Sequence, residues 1–201
     1  MPEYVVPERG CEVTGGGIQV VLDAFEPFVL LASNYLLRNG IGVKSGHKDG
    51  GVKLDPQGWY SLDNFLRAWK EAAAEVGLHV VKKMGPATVR NLTFPPNITD
   101  VHSGMQSMNI AYHMNHRKNG VPMFNPATGQ VLEGIGNYVY ERLGPNKILM
   151  RCDNCYPCAF DQGLLEAMAR KFAPSAFLTH ESPQFCRAKG HPRCNYIIQW
   201  T

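Results

Sequence analysis

The chain lacks blocks of charge. It carries 20 Lys and Arg against 17 Asp and Glu, a formal net charge of +3, in 201 residues. Its basic residues fall in scattered pairs such as Arg67/Lys70, Lys82/Lys83 and Arg117/Lys118, with no run long enough to mark a nucleic-acid footprint. A long uninterrupted apolar run is also missing. Between Ile18 and Leu37 the apolar residues are broken by Asp23, Glu26, Pro27 and Asn34, which predicts a buried helix with a junction at Pro27 and no membrane span. The N-terminal MPEYVVPERGCEV has three acidic residues and no apolar stretch behind a basic start, which argues against a secretory leader, and a cytoplasmic protein with reduced thiols is expected. Gly134-Ile135-Gly136 runs into a strand-like segment and there is no Gly-x-Ser-x-Gly. The sequence signs of a nucleotide cofactor and of a nucleophile elbow are therefore absent.

What is present has the periodicity of one domain spanning residues 1–201. Gly15-Gly16-Gly17 opens a helical stretch to about Arg38, and residues 42–58, rich in Gly, Lys and Asp, read as an exposed loop with a short hairpin. Ser61 and Asp63 start a helix to Val76, with Leu62, Phe65, Leu66, Trp69 and Ala73 on one stripe, and Gly77 ends it. A further helix is predicted from Ile98 to about Arg117 and another from Phe160 to Phe172. Short apolar segments at 138–140, 148–150, 176–179 and 195–200 predict antiparallel strands. Helices first and antiparallel strands later give an α+β fold, N-terminal helices packed on a C-terminal sheet.

Five of the six cysteines lie in the last fifty residues: Cys152, Cys155 and Cys158 in RCDNCYPCAFD, then Cys186 and Cys194 in CRAKGHPRC. A tetrahedral ion such as zinc takes four thiolates, and a CxxC turn can present two from one side. Cys155, Cys158, Cys186 and Cys194 are the ligand set this predicts, and four filled positions leave no room for a reactive water. The triple spacing Cys152-x-x-Cys155-x-x-Cys158 also has the look of iron-sulfur ligation.

The ending CRAKGHPRCNYIIQW, with a Pro-Cys at a strand-to-helix junction before it, resembles the 4-vinyl reductase domain family, the small-molecule-binding domain also found in phenol- and xylene-responsive activators. The resemblance centres on residues 134–200. It implies helices packed on an antiparallel sheet, a structural zinc, and a hydrophobic ligand enclosed between them. Cys158, Cys186 and Cys194 match the family's cysteines in order. The family glutamate falls where this chain has Pro183, so Cys155 takes the fourth place, with His180, Glu181 or Cys152 as replacements.

The implied cavity would be lined by Trp69, Met105, Met108, Tyr112, His113 and His116, a set rich in adaptable methionine. His113 and His116, three apart on a predicted helix, could share a ligand or a metal. The expected function is a stand-alone sensor or binding domain for a hydrophobic, aromatic or tetrapyrrole-like molecule, with a structural zinc and no enzymatic activity. Two alternatives stand beside it. One is a small hydrolase similar to the aminothiazoline carboxylate type, with Cys155 or Cys158 as nucleophile or open-site ligand and His180 or His113 as base. The other is a haem- or iron-binding redox sensor. The apolar density from Val20 to Leu37 further predicts a homodimer.

Overall fold

The computed structural model describes residues 1–46 and 50–201. The chain opens with strand β1 (Cys11–Thr14), which runs directly into α1 (Gly15–Asp23) because the Thr14 hydroxyl accepts the Gly17 amide at 3.0 Å and caps the helix. Helix α2 (Val29–Arg38) follows Pro27. A two-stranded hairpin, β2 (Val43–Lys44) and β3 (Val52–Lys53), then leads to β4 (Trp59–Ser61). The hairpin matches the expectation for 42–58, of which residues 47–49 lie outside the described residues.

Helix α3 (Leu62–Val76) is capped by Ser61 and α4 (Leu78–Asn91) follows at once. Asp100 and Ser103 form a reciprocal capping box that starts α5 (Val101–Met114). Four short strands come next: β5 (His116–Lys118), β6 (Val121–Pro122), β7 (Phe124–Asn125) and β8 (Gln130–Val131). The chain ends in β9 (Tyr138–Gly144), β10 (Lys147–Cys152), α6 (Cys158–Phe172), β11 (Phe177–His180) and β12 (Cys194–Gln199).

Two antiparallel sheets organise these elements, one in the order β4-β1-β5-β6 and a second in the order β11-β12-β10-β9. In the second sheet β12 alternates Cys194, Tyr196 and Ile198 inward with less buried residues between them, the period-two pattern of a strand covered on one face. Helices α5 and α6 supply that cover. The α+β expectation therefore holds, with a small N-terminal sheet that the sequence reading did not contain.

Three expectations about elements are corrected. The apolar stretch from Val20 to Leu37 is two helices, whose inward residues Val21, Leu22, Ala32 and Leu36 pack within the chain's own core. Much of its apolar density is thus used inside the fold, while Phe28 and Leu30 stay exposed, and the homodimer is not supported. Helix α5 stops at Met114, so His116 lies on β5 and not on the same helix as His113. Residues 78–91, read as no element, form α4 despite Gly85-Pro86 at its middle. The reason is the crossing with α6. Pro86 has no amide for the Lys82 carbonyl one turn back, and a Cβ on Gly163 would sit 1.9 Å from that carbonyl oxygen. One on Gly85 would sit 2.1 Å from the Leu164 nitrogen. The helices meet backbone to backbone, and long-range packing outweighs poor local propensity.

Where α6 begins, a buried charge is held in place. The Arg187 guanidinium, 1% exposed, donates to the carbonyls of Asn154 (2.6 Å) and Tyr156 (2.9 Å), to Asn154 Oδ1 (2.8 Å) and to the Asp161 carboxylate. Asp161 also accepts from the Tyr138 hydroxyl at 2.5 Å and from Asn154 Nδ2 at 3.2 Å. Burial pushes the Asp161 carboxyl above its usual range, opposed by Arg187 and these donors. The network joins the last loop, α6 and the turn between β10 and α6.

Candidate metal centre

Four elements converge beside this network. Cys158 is the first residue of α6, His180 the last of β11, Cys194 the first of β12, and Cys186 precedes a single 3-10 turn at Arg187–Lys189. One ligand atom from each of Cys158, His180, Cys186 and Cys194 lies within 4.8 Å of all the others. The Cys158 and Cys186 sulfurs are 3.3 Å apart and those of Cys186 and Cys194 3.7 Å. Thiolates at tetrahedral corners about 2.3 Å from zinc stand about 3.8 Å from one another, so the spacing suits a single small ion. His180 Nε2 is buried with no hydrogen-bond partner, a polar atom left unsatisfied by the protein itself.

Neighbouring groups orient the sulfurs. The Tyr196 hydroxyl lies 3.1 Å from Cys158 Sγ, Gln162 Nε2 donates to the same atom at 3.3 Å, and the Arg187 amide donates to Cys194 Sγ at 3.3 Å. The Cys158 hydrogen bond and the nearby Arg187 push the Cys194 thiol well below its ordinary range, while Cys158 and Cys186 are pushed up, the latter by burial. Glu3 reaches over the site and accepts the Cys158 amide at 2.8 Å, capping α6, its own carboxyl raised by burial.

Of the four predicted ligands, Cys158, Cys186 and Cys194 come together and Cys155 does not. Its thiol faces Tyr112, 3.5 Å from the hydroxyl, because the extended backbone at Pro157 carries the chain away between the two cysteines before α6 begins. His180 takes the fourth place. The signal was in the strand register. His180 pairs with Tyr196, two residues from Cys194 on β12, so His180 and Cys194 share a face. Glu181 is exposed and accepts from Asn195 at 2.9 Å, and Cys152 pairs with Cys194 across β10 and β12 but is not part of the group. Burial pushes the Cys155 thiol up to about 12, which leaves almost no thiolate for a nucleophile near neutral pH.

The six residues expected to line a cavity are all buried. Tyr156 gathers three of them, its ring 5.2 Å from Trp69, 5.4 Å from Tyr112 and 5.8 Å from His116. Met105, Met108 and His113 lie on the buried side of α5. The void beside Trp69, among Ile18, Leu22, Phe25 and Phe65, measures about 10 Å³, room for about one water.

No family model matches this sequence, and no curated protein sequence matches it. Solved structures do. An oxygen-binding H-NOX domain related to soluble guanylate cyclases, in its oxygen complex, superposes with a TM-score of 0.61 over 94% of this chain and 95% of its own, at 12% identity. The fold is that of the H-NOX domains. A Cs H-NOX mutant carrying 4-cyano-L-phenylalanine matches with a TM-score of 0.62 at 12% identity, over 94% of this chain and 96% of its own. The S. oneidensis H-NOX protein in the Fe(II)NO state gives 0.59 at 18%, over 92% and 98%. The resemblance to the 4-vinyl reductase domain is overturned by these neighbours, which are H-NOX domains throughout. That resemblance rested on the cysteine-rich ending, while the H-NOX likeness spans more than nine-tenths of the chain.

The H-NOX fold implies haem, and the interior offers three histidines to test. His102 has both ring nitrogens engaged, by the Tyr140 hydroxyl at 2.8 Å and the Pro145 carbonyl at 2.7 Å. His116 is engaged by the Tyr112 carbonyl at 2.6 Å and the Tyr156 hydroxyl at 3.1 Å. His113 has its Nδ1 held by the Asn109 carbonyl at 2.8 Å and a buried, unpartnered Nε2, and its ring packs edge-on against Tyr112 at 5.3 Å. Tyr112, Tyr138 and Tyr156 fill the interior beside these rings. One histidine nitrogen is thus free, but the interior as packed is filled by these rings and does not fit a haem.

Proposed function

We propose that this chain is a ligand-sensing domain on the H-NOX fold whose C-terminal half is held together by one metal ion, zinc, bound by Cys158, His180, Cys186 and Cys194. The observation that carries the reading is the convergence of four soft or borderline donors within 4.8 Å, one of them from His180, whose Nε2 is buried without a hydrogen-bond partner. Four protein ligands leave no open position, so the ion acts by tying α6, β11, β12 and the loop at Cys186 into one unit. The hydrophobic ligand expected from the sequence would be received by the interior wall of Trp69, Met105, Met108, Tyr112, His113 and His116. With so small a void beside Trp69, it enters only by displacing side chains.

The second reading is the haem- or iron-binding sensor, and the structural neighbours favour it: they include an H-NOX protein in the Fe(II) ligation state and a protein whose porphyrin distortion modulates its haem redox potential. Against haem stand the filled interior and the engagement of both ring nitrogens of His102 and His116, which leaves His113 Nε2 as the one free nitrogen among these three histidines. Iron in this chain would belong to the cysteine-histidine centre, since tetrahedral sulfur-rich sites accept either metal. Elemental analysis with a visible absorption spectrum of the purified protein separates the readings. One zinc per chain and no visible band is the expected result. A porphyrin spectrum at one equivalent would overturn it.

A further inference from the structure

The close crossing of α4 and α6 leaves a groove along its flank. Where two helices touch through Gly85 and Gly163, the long side chains on either side splay outward and the small residues between them form a floor. That groove measures about 690 Å³, floored by Pro86, Val89, Gly163 and Ala167 and rimmed by Lys82, Lys83, Arg90, Arg170 and Lys171. Pockets for organic ligands run from about 300 to 1,000 Å³. A second hollow of about 420 Å³ continues from it past Pro86, Lys83 and Arg90 to Pro27 and Phe28.

The rim is short of negative charge. Glu166 is the groove's one carboxylate, shared between Arg170 at 2.9 Å and Lys82 at 3.9 Å, and the adjoining hollow adds Glu26. Lys171 lies over the Phe94 ring, 4.8 Å from its centroid. Lys83 and Arg90 are exposed and have no hydrogen-bond or ion-pair partner among the described residues. They stand about two helical turns apart on α4, and both line the two hollows. In a chain of net charge +3 this face concentrates cations over an apolar floor, and such a surface complements a molecule with an acid group at one end and an apolar body at the other.

We infer that the α4–α6 groove is a binding site for a small amphipathic anion, its carboxylate or phosphate held by Lys83 and Arg90 and its apolar body lying on Val89 and Ala167. The site is separate from the metal centre and from the interior wall. The test is calorimetric titration of the metal-loaded full chain with monomeric dodecyl phosphate. Parallel titrations use inorganic phosphate, dodecanol and phosphatidylserine vesicles. One equivalent of dodecyl phosphate should bind, more weakly as salt is raised, and Lys83→Glu and Arg90→Glu should each weaken it roughly fivefold to tenfold. Ala167→Trp should abolish binding by filling the floor while every cation remains. Circular dichroism and zinc content serve as controls for folding in each variant. Absence of dodecyl phosphate binding, equal binding of inorganic phosphate or dodecanol, indifference to both charge reversals, or binding to vesicles alone would each overturn the assignment.

Discussion

His180 lies opposite Tyr196 in the β11–β12 pair, their rings 4.9 Å apart and inclined at 33°, and the Tyr196 hydroxyl reaches 3.1 Å from Cys158 Sγ. One tyrosine therefore packs against one proposed metal ligand and hydrogen-bonds another. His180→Ala should lower zinc affinity by roughly a hundredfold or more and make thermal unfolding chelator-sensitive at lower chelator concentration. Tyr196→Phe should lower affinity by about tenfold, and Cys155→Ala should leave the zinc stoichiometry at one. Competition with a chromophoric chelator reads all three. A Cys155→Ala protein without zinc, or a His180→Ala protein with unchanged affinity, would return the fourth ligand to Cys155.

The Arg187–Asp161 pair has both side chains fully buried. Removing one partner leaves an uncompensated interior charge, so Asp161→Asn or Arg187→Met should each cost about 3–5 kcal/mol in urea unfolding. Combining Arg187→Met with Asp161→Leu should cost clearly less than the sum of its single changes. Additive losses would show that Arg187 matters through its bonds to Asn154 and Tyr156 and not through its charge pair.

Burial holds the His116 imidazole down to about 4 from its ordinary 6.5, opposed by the Tyr112 carbonyl. The folded protein thus refuses a proton that the unfolded chain accepts below about pH 6.5. Stability from this residue is full above that pH and is lost as pH falls toward 4, by roughly 3 kcal/mol. His113, also lowered by burial, acts in the same direction. Denaturant midpoints measured from pH 7 to pH 5 should fall more steeply for the native protein than for His116→Gln. Equal slopes would place the acid sensitivity elsewhere, in the proposed metal ligands first.

Periodicity and local chemistry determined a good part of this molecule. Helix α3 was readable from its apolar stripe and its Ser61 cap, α6 from the apolar run behind Asp161, and β9, β10 and β12 from short apolar segments around turns, because each of those signals acts within a few residues. Three residues of the proposed metal site were readable for a similar reason, since cysteines crowd the ending. Tertiary structure decided the rest. Helix α4 exists because Gly85 and Gly163 let two backbones touch, a pairing between positions 78 residues apart that no local propensity contains. His180 replaces Cys155 because strand register fixes which side chains share a face, whereas sequence proximity fixes only which are near in the chain. The same holds for the interior. Methionine and aromatic residues on α3 and α5 mark an apolar lining, but whether that lining encloses space or closes on itself depends on what faces it, and here Tyr156 and Phe160, brought in from the start of α6, occupy the middle.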